Sequence, residues 1–319
     1  MATGFTVENW KLKVSMHPVE DTYSIDRSGK IFAVADGITR DPAEYLPNIK
    51  SPIGKLKFAM QYPRPSPARI ASRIFTQTFP LVLRDYCFWN RDEESIKKAF
   101  EEANKRIGNW NRHNGYGLNY TLRDFAGCVA SGALINQDTV FWGYLTDCGV
   151  AIFDENGNLR FRTENQGPTK YDKEIWKDER LQQIGWRDPE ARTIVRRDYR
   201  NNLKEPNSFG ALTGEEQAMH YVRTGVQETK PGEVVIVYSD GLEDIILSEE
   251  FSNKLKKGNV ESMRKLCKKR VRTEGTLIHH LHRDWREEMK AEARSARFFD
   301  LMSQQIAYDN GFTSKAPTW

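Results

Sequence analysis

The sequence predicts an α+β protein, and three observations carry that prediction. Strand-like and helix-like runs come in blocks rather than in strict βαβ alternation, which disfavours a doubly wound sheet. Two runs, Ile31-Phe32-Ala33-Val34-Ala35 and Val234-Val235-Ile236-Val237-Tyr238-Ser239, are almost continuously apolar, as expected of strands buried on both faces. After the first of them come two stretches with apolar residues at helical spacing.

The N-terminal block reads as strands. Phe5 to Val14 mixes β-branched and aromatic residues with polar ones, and Thr22 to Asp26 pairs with Lys30 to Ala35 across the turn at Arg27-Ser28-Gly29. That second arm stops at Asp36-Gly37. Residues 38 to 65 are rich in proline and polar groups and read as a loop able to cover a site. A helix is predicted from Pro67 to Tyr86, capped by Ser66 with proline in its first turn. A second starts near Asp92 and runs through Ile96, Phe100, Ala103 and Ile107 to about Trp110.

Four short strands follow: Ala126 to Ile135, Thr139 to Thr146, Gly149 to Phe153 and Leu159 to Thr163. Asn136-Gln137-Asp138 and Asp154-Glu155-Asn156-Gly157-Asn158 supply turn chemistry between them. Residues 165 to 210 read as a charged insertion with one short helix, about Tyr171 to Ile184. Pro231-Gly232 marks a turn before the second buried strand, which ends in Asp240-Gly241. The remainder reads as mostly helical and reaches Tyr308-Asp309-Asn310.

The 319 residues suffice for one large domain or two ordinary ones, and a single domain over 1–319 with the insertion inside it is expected. No stretch approaches the ~20 consecutive apolar residues of a membrane-spanning helix. The N-terminus lacks the basic start and apolar core of a secretory signal. Cys87, Cys128, Cys148 and Cys267 stand far apart with no metal-like spacing, so free thiols in a reducing, cytoplasmic setting are expected. The net charge of +4 names no partner. Basic residues outnumber acidic ones from Lys254 to Arg297, which reads as a solvated helical face. Without a readout motif it gives little reason to expect nucleic-acid binding.

Two buried strands that both end in Asp-Gly are the central chemical observation. One Asp-Gly alone is an ordinary turn dipeptide, and Glu20-Asp21 alone is an ordinary solvated pair. Together they set carboxylates on rigid supports, and hard divalent cations prefer such oxygen ligands. Two such ions suit phosphate-ester hydrolysis, with no serine or cysteine nucleophile required. No G-x-S-x-G elbow, P-loop, H-E-x-x-H or G-x-G-x-x-G is present.

The order of these motifs resembles the metal-dependent protein phosphatases of the PPM (PP2C) type. Glu20-Asp21 matches the first motif and Phe32-Ala33-Val34-Ala35-Asp36-Gly37 the second, while Thr146-Asp147-Cys148-Gly149 matches the Gly-Asp-Ser-Arg hairpin less well. Ser239-Asp240-Gly241-Leu242 matches the fourth and Asp309-Asn310 the closing one, so the resemblance spans nearly the whole chain. It implies a four-layer α-β-β-α sandwich of two antiparallel sheets flanked by helix pairs. It also implies an Mn²⁺- or Mg²⁺-dependent phosphatase for phosphoserine and phosphothreonine in proteins.

The resemblance further implies roles. Asp36 would bridge two metals, with Asp240 and Asp309 completing the coordination of the first metal. The Gly37 carbonyl and Glu20 would serve the second metal, and Asp21 would orient a metal-bound water. Asp147, with Asp240, would hold a weaker third ion. The family's phosphate-binding arginine falls at Met16 here, which leaves Lys13, Lys11, His17 and Asn310 as candidates for the phosphate. The hairpin at Asp147 lacks the family's Ser and Arg, so Asp147 as a plain turn residue stays open. Asp300 is the fallback for the closing ligand. The alternative to an enzyme is a non-catalytic protein that uses the same sandwich for binding.

Overall fold

Strand pairing sorts the chain into two sheets. The computed structural model describes residues 2–10, 18–38, 62–86, 92–114, 126–185 and 189–284, with single positions at 53, 60, 286, 287 and 290. Its strands are β1 (Ala2–Glu8), β2 (Thr22–Ile25), β3 (Ile31–Gly37), β4 (Cys128–Asn136) and β5 (Thr139–Leu145), then β6 (Gly149–Phe153), β7 (Leu159–Arg162), β8 (Arg223–Glu228), β9 (Val234–Tyr238) and β10 (Glu274–Leu281). One sheet runs β1-β10-β9-β6-β7 and the other β2-β3-β4-β5-β8. Every pairing in both is antiparallel.

Alternation along the strands builds the layers. Phe32 and Val34 of β3 meet Val235 and Val237 of β9 and Ile278 of β10 between the sheets. Ile31, Ala33 and Ala35 point the other way, onto helix α1 (Pro67–Tyr86), which lies beside α2 (Glu93–His113). The caps are those the sequence predicts. Ser66 Oγ accepts from the Arg69 N–H at 3.1 Å, and Asp92 Oδ1 from the Ser95 N–H at 2.9 Å. Glycine notches seat the aromatic rings of this layer. A Cβ at Gly132 would lie 2.4 Å from Phe79, and one at Gly143 would lie 2.9 Å from Phe100. Phe75, Phe79 and Phe100 are fully buried in mutual contact, and burying each contributes about 1.5–3 kcal/mol.

On the far side, helices α6 (Glu243–Ile246), α7 (Glu249–Lys256) and α8 (Val260–Arg270) cover the outer face of the first sheet through Ile245, Phe251, Leu255, Met263 and Leu266. The architecture is therefore the four-layer α+β sandwich expected. No helix among the described residues is long and apolar enough to cross a membrane.

Two expectations need correction. The insertion carries three helices rather than one: α3 (Pro168–Ile175), α4 (Glu179–Ile184) and α5 (Pro189–Tyr199). They share an apolar cluster of Ile175, Leu181, Ala191, Ile194, Tyr199 and Phe209, and this packing stabilises helices too short to persist alone. The stretch after Leu242 is not purely helical, because β10 fills the position between β1 and β9. The basic segment from Lys254 is thus partly a buried strand. Its Thr276, Leu277 and Ile278 are all fully buried. The expected strand over Phe5 to Val14 is seen as β1, ending at Glu8, and residues 11–17 lie outside the described residues. Cys128, Cys148 and Cys267 are buried free thiols, and Cys87 lies outside the described residues.

Candidate metal centre

β3 delivers Asp36 on the face of Phe32 and Val34, toward the other sheet, and Gly37 on the face toward α1. A Cβ on Gly37 would lie 2.7 Å from the Ala68 carbonyl carbon and 2.9 Å from Ser72 Oγ. Only glycine lets the strand end sit this tightly on the helix.

Ser239 follows β9, and Asp240–Leu242 turn as a short 3-10 helix. A Cβ on Gly241 would lie 1.9 Å from the Glu274 carbonyl oxygen, and one on Gly275 would lie 2.6 Å from Leu242 Cγ. These two glycines let the backbone cross just where β10 begins. The crossing brings Glu274 to the site. Asp21, Asp36 and Glu274 each offer a carboxylate oxygen within 4.8 Å of the others.

Hydrogen bonds hold this cluster from both sheets. Ser239 Oγ donates to Asp21 Oδ2 at 2.7 Å and accepts from the Thr276 N–H at 2.9 Å. The Glu20 N–H donates to both Glu274 oxygens, each at 3.0 Å. The Glu20 side chain has hydrogen-bond partners of its own. Its Oε1 accepts from Tyr62 Oη at 2.9 Å and from Ser66 Oγ.

Asp147 follows Thr146 in the β5–β6 turn. Thr146 has φ of 71°, which costs a β-branched residue on the order of 1–3 kcal/mol. Its Oγ1 donates to the Gly210 carbonyl at 2.5 Å, which holds the turn in place. Gly167 packs against Asp147, with space for no Cβ beyond 2.8 Å. Asp36, Asp147, Asp240 and Glu274 line one cavity of about 680 Å³. Asp21 sits beside it, almost fully buried.

Burial and like charge dominate the electrostatics. Burial raises the Asp36 carboxyl well above the usual range, and the charges of Asp21 and Asp240 raise it further. Burial pushes Asp21 up to about 6. Burial, then the Asp240 charge, pushes Asp147 up to about 8. Burial, then Asp21, takes Glu274 to about 8. Among the described residues, Asp21 Oδ1 and Asp147 Oδ1 are buried without a hydrogen-bond partner. Buried carboxylate oxygens without donors, in a cluster of like charges, fit a divalent cation, which would satisfy the lone pairs and remove the repulsion.

Of the residues expected at a metal site, the fold brings Asp21, Asp36, Gly37, Asp147 and Asp240 together at the cavity. It turns the Glu20 carboxylate toward Tyr62 and Ser66. Lys13, His17, Asp309 and Asn310 lie outside the described residues, as do Met16 and Asp300. Glu274 was not anticipated. Its signal is a Glu-Gly pair opening a buried Thr-Leu-Ile run, overshadowed by the basic residues around it. The insertion also reaches the cavity, through Trp176, Val195, Arg196, Arg200 and Phe209.

No protein-family model and no curated protein matches the sequence. Solved structures do match the fold. The catalytic domain of the serine/threonine protein phosphatase PstP, in complex with two manganese ions, superposes with a TM-score of 0.55 at 15% identity, covering 88% of this chain and 96% of that one. PppA, described as a regulatory component of T6SS in Pseudomonas aeruginosa, gives 0.55 at 13%, covering 88% and 97%. A bacterial serine phosphatase gives 0.55 at 12%, covering 89% and 98%. The fold is thus that of PP2C-type phosphatases, in line with the motif resemblance.

Proposed function

We propose that the chain is a metal-dependent phosphatase of the PPM (PP2C) type, acting on phosphoserine and phosphothreonine in proteins with two Mn²⁺ or Mg²⁺ ions. The observation that carries this reading is the convergence of four carboxylates, from both sheets and the turns between, on one cavity, with Asp21 grouped beside Asp36 and Glu274. The burial of Asp21, Asp36, Asp147 and Glu274 and their mutual repulsion favour bound cations.

Asp21, Asp36 and Glu274 would hold one ion, and Asp36, the Gly37 carbonyl, Asp147 and Asp240 the rest. The resemblance gives the closing ligand to Asp309. We assign it to Glu274, which starts the strand beside β9 and faces Asp21 and Asp36. Bound there, a pair of divalent cations acidifies water and neutralises charge on phosphoryl oxygens. The chain supplies the rest. Asp36, Gly37 and Glu274 stand on strand ends and are pre-positioned. Ser239 orients Asp21 through its 2.7 Å hydrogen bond. Asp240 stands exposed at the cavity, where a substrate enters.

The test is hydrolysis of p-nitrophenyl phosphate, then of phosphoserine and phosphothreonine peptides, with Mn²⁺ added or removed. Turnover that needs Mn²⁺ and stops with chelator is expected. Full turnover in strong chelator would sink the metal-dependent reading. Metal binding without turnover on any phosphate ester would favour a non-catalytic binding protein.

A further inference from the structure

Four ionised carboxylates at the cavity, with Asp21 beside it, are not outweighed by two dications, so such a centre alone repels a phosphate dianion. Something else must supply positive charge. Among the described residues that line the cavity, two are cationic, Arg196 and Arg200, and both come from the insertion.

We propose that Arg196 and Arg200 are the phosphate-binding residues of this site, gripping the phosphoryl group from the insertion side of the cavity. The proposal rests on the phosphatase reading above.

Their placement is built rather than incidental. Arg196 is in the last turn of α5, and Arg200 follows four residues later, just past the helix end. That spacing keeps two side chains on one side of a helical path. The backbone at Arg200 is pinned by a bridge to Phe209, with the Asn201 N–H on the Phe209 carbonyl at 2.9 Å and the Phe209 N–H on the Tyr199 carbonyl at 3.1 Å. The Asn201 amide also donates to the Ala211 carbonyl at 2.9 Å. Arg200 itself is 2% exposed, at the wall of a cavity.

Two neighbouring arginines, Arg197 and Arg180, form ion pairs within the insertion and do not line the cavity. Arg197 is bound to Asp198 at 2.6 Å, and Arg180 to Asp178 at 2.5 Å and to Asp198 at 2.8 Å. The guanidinium groups of both are exposed to solvent. A guanidinium is the suitable group for the inner position, since its planar fork matches phosphate oxygens two at a time. Trp176 and Phe209 give the same wall an apolar part, against which the organic portion of the ester rests.

The experiment is calorimetric titration of inorganic phosphate into the Mn²⁺-saturated protein, a readout that needs no turnover. Arg196→Ala and Arg200→Lys are each expected to weaken phosphate binding roughly tenfold or more, the worth of one charge-assisted hydrogen bond. Mn²⁺ affinity should stay within about twofold, and Arg197→Ala should bind phosphate as the wild type does. Arg196 is only half-buried, so its variant tests the proposal even where Arg200→Lys perturbs folding. A loss in one variant alone assigns the grip to that arginine. Phosphate affinity unchanged in both, or lost only in step with Mn²⁺ affinity, overturns the proposal. Wild-type protein that binds phosphate through these arginines yet turns over no ester would sink the hydrolytic reading and leave the arginine assignment standing.

Discussion

The hydroxyl of Ser239, just after β9, donates a 2.7 Å hydrogen bond to the carboxylate of Asp21, just before β2. It ties the two sheets together at the acidic cluster. The same oxygen accepts the Thr276 N–H from β10. Ser239→Ala therefore leaves a buried amide and a buried carboxylate without this partner. Unfolding by urea should show a loss of ~1–3 kcal/mol. Mn²⁺ affinity should drop about 10–100-fold, as on losing a group that orients a ligand. Unchanged Mn²⁺ affinity would mean Asp21 takes no part in metal binding.

The proposed reading gives Glu274 the role that the motif resemblance gives Asp309. Glu274→Gln should lower Mn²⁺ affinity roughly tenfold or more, since a direct ligand matters at least as much as its orienting partners. Asp309→Asn should leave that affinity within about twofold. The opposite pattern in a pair of Mn²⁺ titrations would return the closing ligand to Asp309.

Gly241→Ala tests the crossing that delivers Glu274. The added methyl would lie 1.9 Å from the Glu274 carbonyl oxygen, which is backbone and cannot turn aside. Stability should fall by about 1–3 kcal/mol through forced backbone shifts, and Mn²⁺ affinity should fall with it. Full stability in a denaturant titration would show that the crossing relaxes freely.

The metal-free protein should lose stability as pH rises from about 6.5 to 8. Asp147 and Glu274, both raised to about 8, bind protons in the folded state that the unfolded chain has released by pH ~4–5. Their favourable contribution is complete below the unfolded values and is lost as pH climbs through about 8. His279 and His280 act on the acid side. Burial lowers them to about 4 and about 3. Their contribution is complete above ~6.5 and is lost as pH falls through those lowered values. Melting temperature in chelator should thus fall between pH 6.5 and 8, and saturating Mn²⁺ should flatten that slope. An equal slope with and without Mn²⁺ would show that the carboxylates hold no cation.

The Asp-Gly pairs at 36–37 and 240–241 were legible because each ends an apolar run. The capped helices were legible from Ser66-Pro67 and Asp92. The three helices of the insertion were not, because their apolar residues are sparse and become a core only on one another. β10 was hidden by its surroundings. A strand flanked by basic residues looks helical until its pairing with β1 and β9 is known.

By itself the sequence determined the α+β class, the two rigid strand ends and the type of ligand they carry. These are local matters, set by side-chain alternation and turn chemistry over a few residues. Only the tertiary structure decided that Glu274 joins Asp21 and Asp36, that Glu20 turns to Tyr62 and Ser66, and that Arg196 and Arg200 reach the same cavity. Those facts depend on backbone crossings such as Gly241 over Glu274, between residues far apart in the chain. No local pattern encodes which distant segments can approach so closely.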